Sequence, residues 1–369
     1  MISLRGAVTL LSLSTLLFGC GSNEPVKLGF LSGQTGPFSD LGSSGLNGAI
    51  LAVERRNATG GVSKRQIKLL IRDDEHNATQ AKAAFQELVN EGVTAVVGPM
   101  TSAMAAELVP LAEKEKIVLM GGTVVTKKLS GKNDFFLRAI APTSYYAAYS
   151  AGVHRQHFEP KRVAVVFDAA NRDYAENWAQ DYATELQRLN GIRAEVIELD
   201  SRTPQNPAAL SASIVKNEPD LIVFSCSAKT AGRLMRTIRN QHPNVRFAVS
   251  AWAANRLLAE FAEQAAEGAL VEQYHDLSDK SESYARFAEE YLKRFKLAPD
   301  YAAVIAYDAT NIVLDGLDEN PRRESLKEVL LQKHRFKGLQ VPIVLDASGD
   351  ASRQAFTTMV KNGQFSPIH

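Results

Sequence analysis

The chain has 369 residues, 45% hydrophobic and 22% charged, which is enough to bury a large core and long enough for two domains. Lys and Arg number 42 against 41 Asp and Glu, a formal net charge of +1, and the basic residues are dispersed. That balance gives no electrostatic footprint for nucleic acid or an anionic membrane surface, so no nucleic-acid partner is expected.

Residues 1–19 differ from the rest. Arg5 precedes the Leu-rich run AVTLLSLSTLLFG, whose apolar core is too short to span a bilayer and ends in small residues. This is a secretory signal. Its end, Leu16-Leu17-Phe18-Gly19-Cys20, looks like a bacterial lipobox, which implies cleavage before Cys20, a lipid on that thiol and a tether over residues 20–25. Cys226 is the one other cysteine, so no intrachain disulfide is expected and stability rests on the core. It lies at the end of an apolar strand and is expected to be inert, with no metal site beside it.

From residue 26 strands and helices alternate. Residues 26–31 predict a strand, 32–45 (SGQTGPFSDLGSSG) a loop, 46–56 a helix, 67–71 a strand ending at Asp73-Asp74, and 78–90 a helix. The stretch 93–107, VTAVVGPMTSAMAAE, predicts a buried strand, a Gly98-Pro99 turn and a helix opening at Thr101 and Ser102. Residues 117–120 form the next strand, ending in Gly121-Gly122-Thr123. Strict strand–helix order predicts a parallel sheet covered on both faces, with ligands at the carboxyl ends of the strands. The unpaired N–H groups and dipole at the 101–102 helix start attract anions, so this turn is expected to hold a ligand carboxylate. A simple N-cap is the alternative.

The pattern then restarts: strand signals over 135–140, helix 144–158, strand 162–167 ending at Asp168, helix 178–189, strand 194–199, and alternation through 210–216, 221–224, 231–240 and 247–250. The tail predicts helices over 284–295, 302–317 and 325–332 and a strand near 341–345. His154 and His157, at i and i+3 without a carboxylate partner, are expected on a solvated face, not at a metal.

Five segments in order, GQTGPFSDLG (33–42), LAVERRNATGGVSKRQIKLLIRDDE (51–75), VVGPMTSAMA (96–105), AYDAT (306–310) and VLDASGD (344–350), resemble the leucine/isoleucine/valine-type solute-binding proteins, type I periplasmic binding proteins of ABC importers. The resemblance spans residues 26–365. It implies an α/β fold of two Rossmann-like lobes joined by three hinge crossovers, with the cleft between them: lobe 1 from 26–142 plus 273–340, lobe 2 from 143–272 plus 341–369. It also implies a monomer without cofactor that delivers its solute to permease subunits in the membrane.

In amino-acid-binding relatives the carboxylate sits in lobe 1. Ser102 matches the serine after the Gly-Pro turn, with Thr101 beside it; Val125 stands where a threonine is common, and Thr123 remains as a donor. Phe38 and Leu41 are expected to line the apolar side. In lobe 2, Tyr174 matches a tyrosine placed over the ligand, Ser227 stands where leucine-type members have a tyrosine, and Ala251 replaces the acid that binds the ammonium, next to Trp252. Either Asp168 or Asp276 supplies that acid, or the solute has no α-ammonium, since a bare buried ammonium is costly. Tyr274 is expected to reach the cleft, His275 to be a solvated or hinge residue, and Arg138 to order a crossover.

The expected function is therefore a lipid-anchored extracytoplasmic protein that captures a small carboxylate-bearing solute, an amino acid first or else an aromatic or aliphatic carboxylate. The alternative is a sensory subunit of the same fold acting with a separate signalling protein. An enzyme is not expected: the sequence has no G-x-S-x-G, H-E-x-x-H or G-x-x-x-x-G-K-[ST] motif.

Overall fold

A computed structural model describes residues 24–36, 38–203 and 206–368. The secretory signal, Cys20 and the residues up to 23 lie outside the described residues. The first half forms β1 (Val26–Ser32), α1 (Ser39–Ala58), β2 (Ile67–Asp73), α2 (Ala78–Asn90), β3 (Ala95–Val97), α3 (Ser102–Glu115), β4 (Val118–Gly121) and β5 (Phe136–Arg138). The second unit follows as α4 (Thr143–Phe158), β6 (Val163–Asp168), α5 (Arg172–Asn190), β7 (Glu195–Leu199), α6 (Pro207–Val215), β8 (Leu221–Ser225), α7 (Ala228–Arg239), β9 (Arg246–Val249), α8 (Arg256–Ala262) and β10 (Leu270–Gln273). The tail adds α9 (Glu282–Phe295), α10 (Tyr301–Glu319), α11 (Leu326–Lys333), β11 (Arg335–Phe336), β12 (Ile343–Leu345), β13 (Ala351–Ser352), β14 (Phe356–Lys361) and β15 (Gln364–Pro367).

Two sheets result. The first has the order β2-β1-β3-β4-β5 with every pair parallel. The second runs β15-β14-β10-β9-β8-β6-β7, and its parallel part repeats the same winding. In both, the order reverses beside the first strand of the unit, so both crevices open at the carboxyl ends of their strands. The strands are apolar runs because helices cover both faces: β3, β6 and β8 are buried at every residue.

α1 starts seven residues before the predicted helix. Its first turns contain Gly42, Gly45 and Gly48, which resemble loop by composition, but in the helix they share one face. A Cβ at Gly42 would stand 1.8 Å from Gly33 O, at Gly45 2.5 Å from Met100 Cε, and at Gly48 2.1 Å from Ala303 O. Close packing against the first loop and α10 outweighs the low helix propensity of glycine. The β14–β15 hairpin also went unpredicted. Its turn, Asn362-Gly363, has positive φ at both residues (52° and 71°), the geometry that Asn-Gly favours.

The crossovers are tied by buried charge. Arg353 donates through Nη1 to Asp308 Oδ2 at 2.7 Å and through Nε to Tyr274 O at 3.0 Å, with the ion-pair side chains 1% and 2% exposed. Asp308 Oδ1 also accepts from Leu339 N at 2.8 Å. Arg138 joins Asp350 to the carbonyls of Val124 and Thr126, so it orders the chain by an ion pair as well as by backbone contacts. His154 is buried, not solvated. Its Nδ1 lies 3.0 Å from Tyr182 Oη, and burial pushes its pKa down to about 3.

Candidate functional site

The loops at the carboxyl ends of β1, β3 and β4 face those of β6, β9 and β10. Gly98 turns the chain out of β3 with φ 109°, and a Cβ there would stand 2.0 Å from Leu31 O, so only glycine fits. Ser102 then opens α3. Its buried Oγ accepts from Val125 N and Thr126 N, both at 3.3 Å, which leaves its own hydrogen free to donate. Thr101 makes no side-chain cap; its Oγ1 lies 3.3 Å from His76 Nδ1. Thr123 Oγ1 donates to Met100 O.

The lobes meet across this turn. Ala103 N, a free donor in the first turn of α3, bonds Asn171 Oδ1 at 3.1 Å, and His76 Nε2 lies 3.0 Å from Ala170 O. Burial lowers the His76 pKa, favouring a neutral ring that donates from Nε2 and accepts at Nδ1. Phe38 packs edge-on against Trp252 at 5.1 Å and His76 at 4.7 Å, and Asn255 Nδ2 donates to Asp40 Oδ2 at 2.8 Å. The cavity between them is only about 20 Å³, lined by Leu41, Met100, Thr123, Asn171, Tyr174, Trp252, Tyr274 and Tyr301. Ligand pockets usually hold ~300–1,000 Å³, so these lobes stand closed and solute entry requires them to part.

Leu41, Thr123, Tyr174, Trp252 and Tyr274 therefore share one cavity; Ser102 and Thr101 do not line it but follow Met100, which does. Ser227 does not belong to it. Its Oγ caps α7 by accepting from Thr230 N at 3.3 Å, and it lines a separate depression of about 340 Å³ together with Phe38. Asp276 is also elsewhere: it holds a turn by accepting from Ser278 N and Oγ, and its backbone N–H donates to Gln340 Oε1. Asp168 Oδ1 accepts from Ala170 N and Ser201 N, so this acid organises the loop below the cavity. His275 is buried at the hinge with both ring nitrogens unpartnered, not solvated.

Sequence reasoning missed Met100, Asn171 and Tyr301. Met100 was in plain view inside the turn motif; Tyr301 follows Asp300, which caps α10 by accepting from Ala302 N and Ala303 N. It also missed Glu272. This carboxyl is 1% exposed and accepts from Ser150 Oγ at 2.6 Å, Trp178 Nε1 at 3.1 Å and Ala251 N at 3.2 Å. Burial raises its pKa to about 7 against the pull of these donors. A lone acid in the apolar run LVEQY was the available signal.

A family model described as periplasmic binding protein matches residues 25–364. The chain belongs to the periplasmic binding protein family. A Leu/Ile/Val-binding protein of Citrobacter freundii is 24% identical to this periplasmic binding protein over 356 residues, covering 94% of this chain and 92% of its own. Among solved structures, the branched-chain amino acid transporter substrate-binding protein of Streptococcus pneumoniae, in complex with isoleucine, superposes with a TM-score of 0.85 at 21% identity, over 94% of this chain and 99% of that one. A solute-binding protein of an ABC transporter from R. palustris, in complex with benzoate, gives 0.83 at 16% identity, over 93% and 95%. These superpositions establish the fold as that of the type I periplasmic binding proteins. The relatives are named as binding proteins, not enzymes, and the family is a periplasmic one, outside the cytoplasm.

Proposed function

We propose that this periplasmic binding protein captures a small carboxylate-bearing solute, an amino acid in the first place, and delivers it to the permease of an ABC importer while anchored through a lipid on Cys20. The observation that carries the reading is the start of α3. Ala103 N–H points across the cleft and is met there by a neutral amide oxygen, Asn171 Oδ1, where a solute carboxylate would bond more strongly. The Ser102 hydrogen is free to join it, whereas the Thr123 hydroxyl hydrogen is taken by Met100 O. The curated relatives bind Leu, Ile and Val by name, which supports an amino acid as the solute.

Ser102→Ala tests the carboxylate assignment. Calorimetry is expected to show solute binding weakened by roughly 1–3 kcal/mol, and thermal melting a lower Tm, because Val125 N and Thr126 N lose their acceptor. Unchanged affinity contradicts the assignment. Cys20→Ser tests the anchor: the variant is expected in the aqueous phase of a detergent partition, and retention in the detergent phase counts against lipidation.

A further inference from the structure

The lobe 2 end of the cavity holds polar groups without partners. The hydroxyls of Tyr174 and Tyr274 are buried and unbonded, and so is Ser250 Oγ beside Tyr174. Both tyrosines line the cavity, yet no carboxylate does. Two residues before Tyr274, near the end of β10, sits Glu272, held by Ser150, Trp178 and the backbone of Ala251. The Tyr274 hydroxyl lies close to both Glu272 and Tyr174 without closing a hydrogen bond to either.

This order sets a direction. Above about pH 7, where Glu272 is ionised, it only accepts, so the Tyr274 O–H turns to it and the Tyr174 O–H then turns to the Tyr274 oxygen. What Tyr174 offers the cavity is lone pairs. We propose that Glu272, acting through Tyr274 and Tyr174, makes this end of the cavity select a hydrogen-donating cationic group, the α-ammonium of an amino acid. The proposal rests on the amino-acid reading above. Glu272 is a positioning residue in it: the acid lies one side chain behind the surface that the solute touches, and the Trp252 ring beside Tyr174 adds a face that favours a cation.

The test compares each common amino acid with its deaminated carboxylate, L-leucine with 4-methylpentanoate and L-phenylalanine with 3-phenylpropanoate among the pairs, by calorimetry on the purified full-length protein. Wild type is expected to prefer the amino acid of a pair, and Glu272→Gln to lose about tenfold or more in amino-acid affinity with little change for the carboxylate. Tyr174→Phe, which removes one hydroxyl and keeps the ring, is expected to shift the ratio in the same direction even if Glu272→Gln folds poorly. A merely structural role would weaken both members of a pair alike. If wild type prefers the amino acid and both variants keep that ratio, the role of Glu272 is overturned while the amino-acid reading stands. If wild type binds only deaminated carboxylates, or none of these solutes, both fall.

Discussion

Arg353→Met is expected to destabilise the protein by about 3–5 kcal/mol, because it leaves the buried carboxylate of Asp308 without its counter-charge. Burial alone raises the Asp308 pKa, and the guanidinium is the main group opposing it. The damage extends to the cleft: Arg353 Nε also donates to Tyr274 O, so the variant loosens the segment after β10 that carries a cavity tyrosine. Urea unfolding at neutral pH reads the loss as a lower midpoint. The double variant Arg353→Met, Asp308→Leu is expected to recover most of it, since an apolar pair removes both desolvated charges. A single variant within about 1 kcal/mol of wild type would mean that the ion pair carries no weight in the fold.

The second large effect is pH-dependent. Glu272 titrates at about 7 in the folded protein against an ordinary 4.5, so between these values the folded state keeps a proton that the unfolded chain releases. Its contribution is fully present below pH 4.5 and is lost as pH rises to about 7, by up to about 3 kcal/mol. Glu272→Gln lacks this titration. The stability of the variant relative to wild type is therefore expected to climb from pH 4.5 to about 7 and then level. His154 and His275, both pushed down to about 3 by burial, lower stability as pH falls below 6.5, but they do so in both proteins and cancel in the difference. Parallel unfolding midpoints across this range would contradict the assignment.

Much of this was written locally. The alternation of apolar strands with capped helices specified the parallel parts of the two large sheets, and the turn VVGPMTS marked the start of α3 because a glycine-proline corner and a helix N-terminus are properties of adjacent residues. What was not local was not legible. Gly42, Gly45 and Gly48 belong to a helix only because Met100, Ala303 and the first loop press against them, and those contacts are distant in sequence. Asp168 and Asp276 stood out as acids beside the expected cleft, yet backbone and side-chain donors hold both in turns. Glu272 drew no notice because its importance comes from Ser150, Trp178 and Ala251, brought together from α4, α5 and the loop after β9.

The most direct measurement of the central claim is a thermal-shift and calorimetry panel of the purified protein against amino acids, their deaminated carboxylates and their decarboxylated amines. A solute at 100 times its Kd is expected to stabilise the fold by about 2.7 kcal/mol. If α-amino acids raise the Tm and the amines without a carboxylate do not, the start of α3 is the carboxylate end of a solute site. If the amines bind as tightly as the amino acids, the carboxylate reading is wrong and the lobes close on something else.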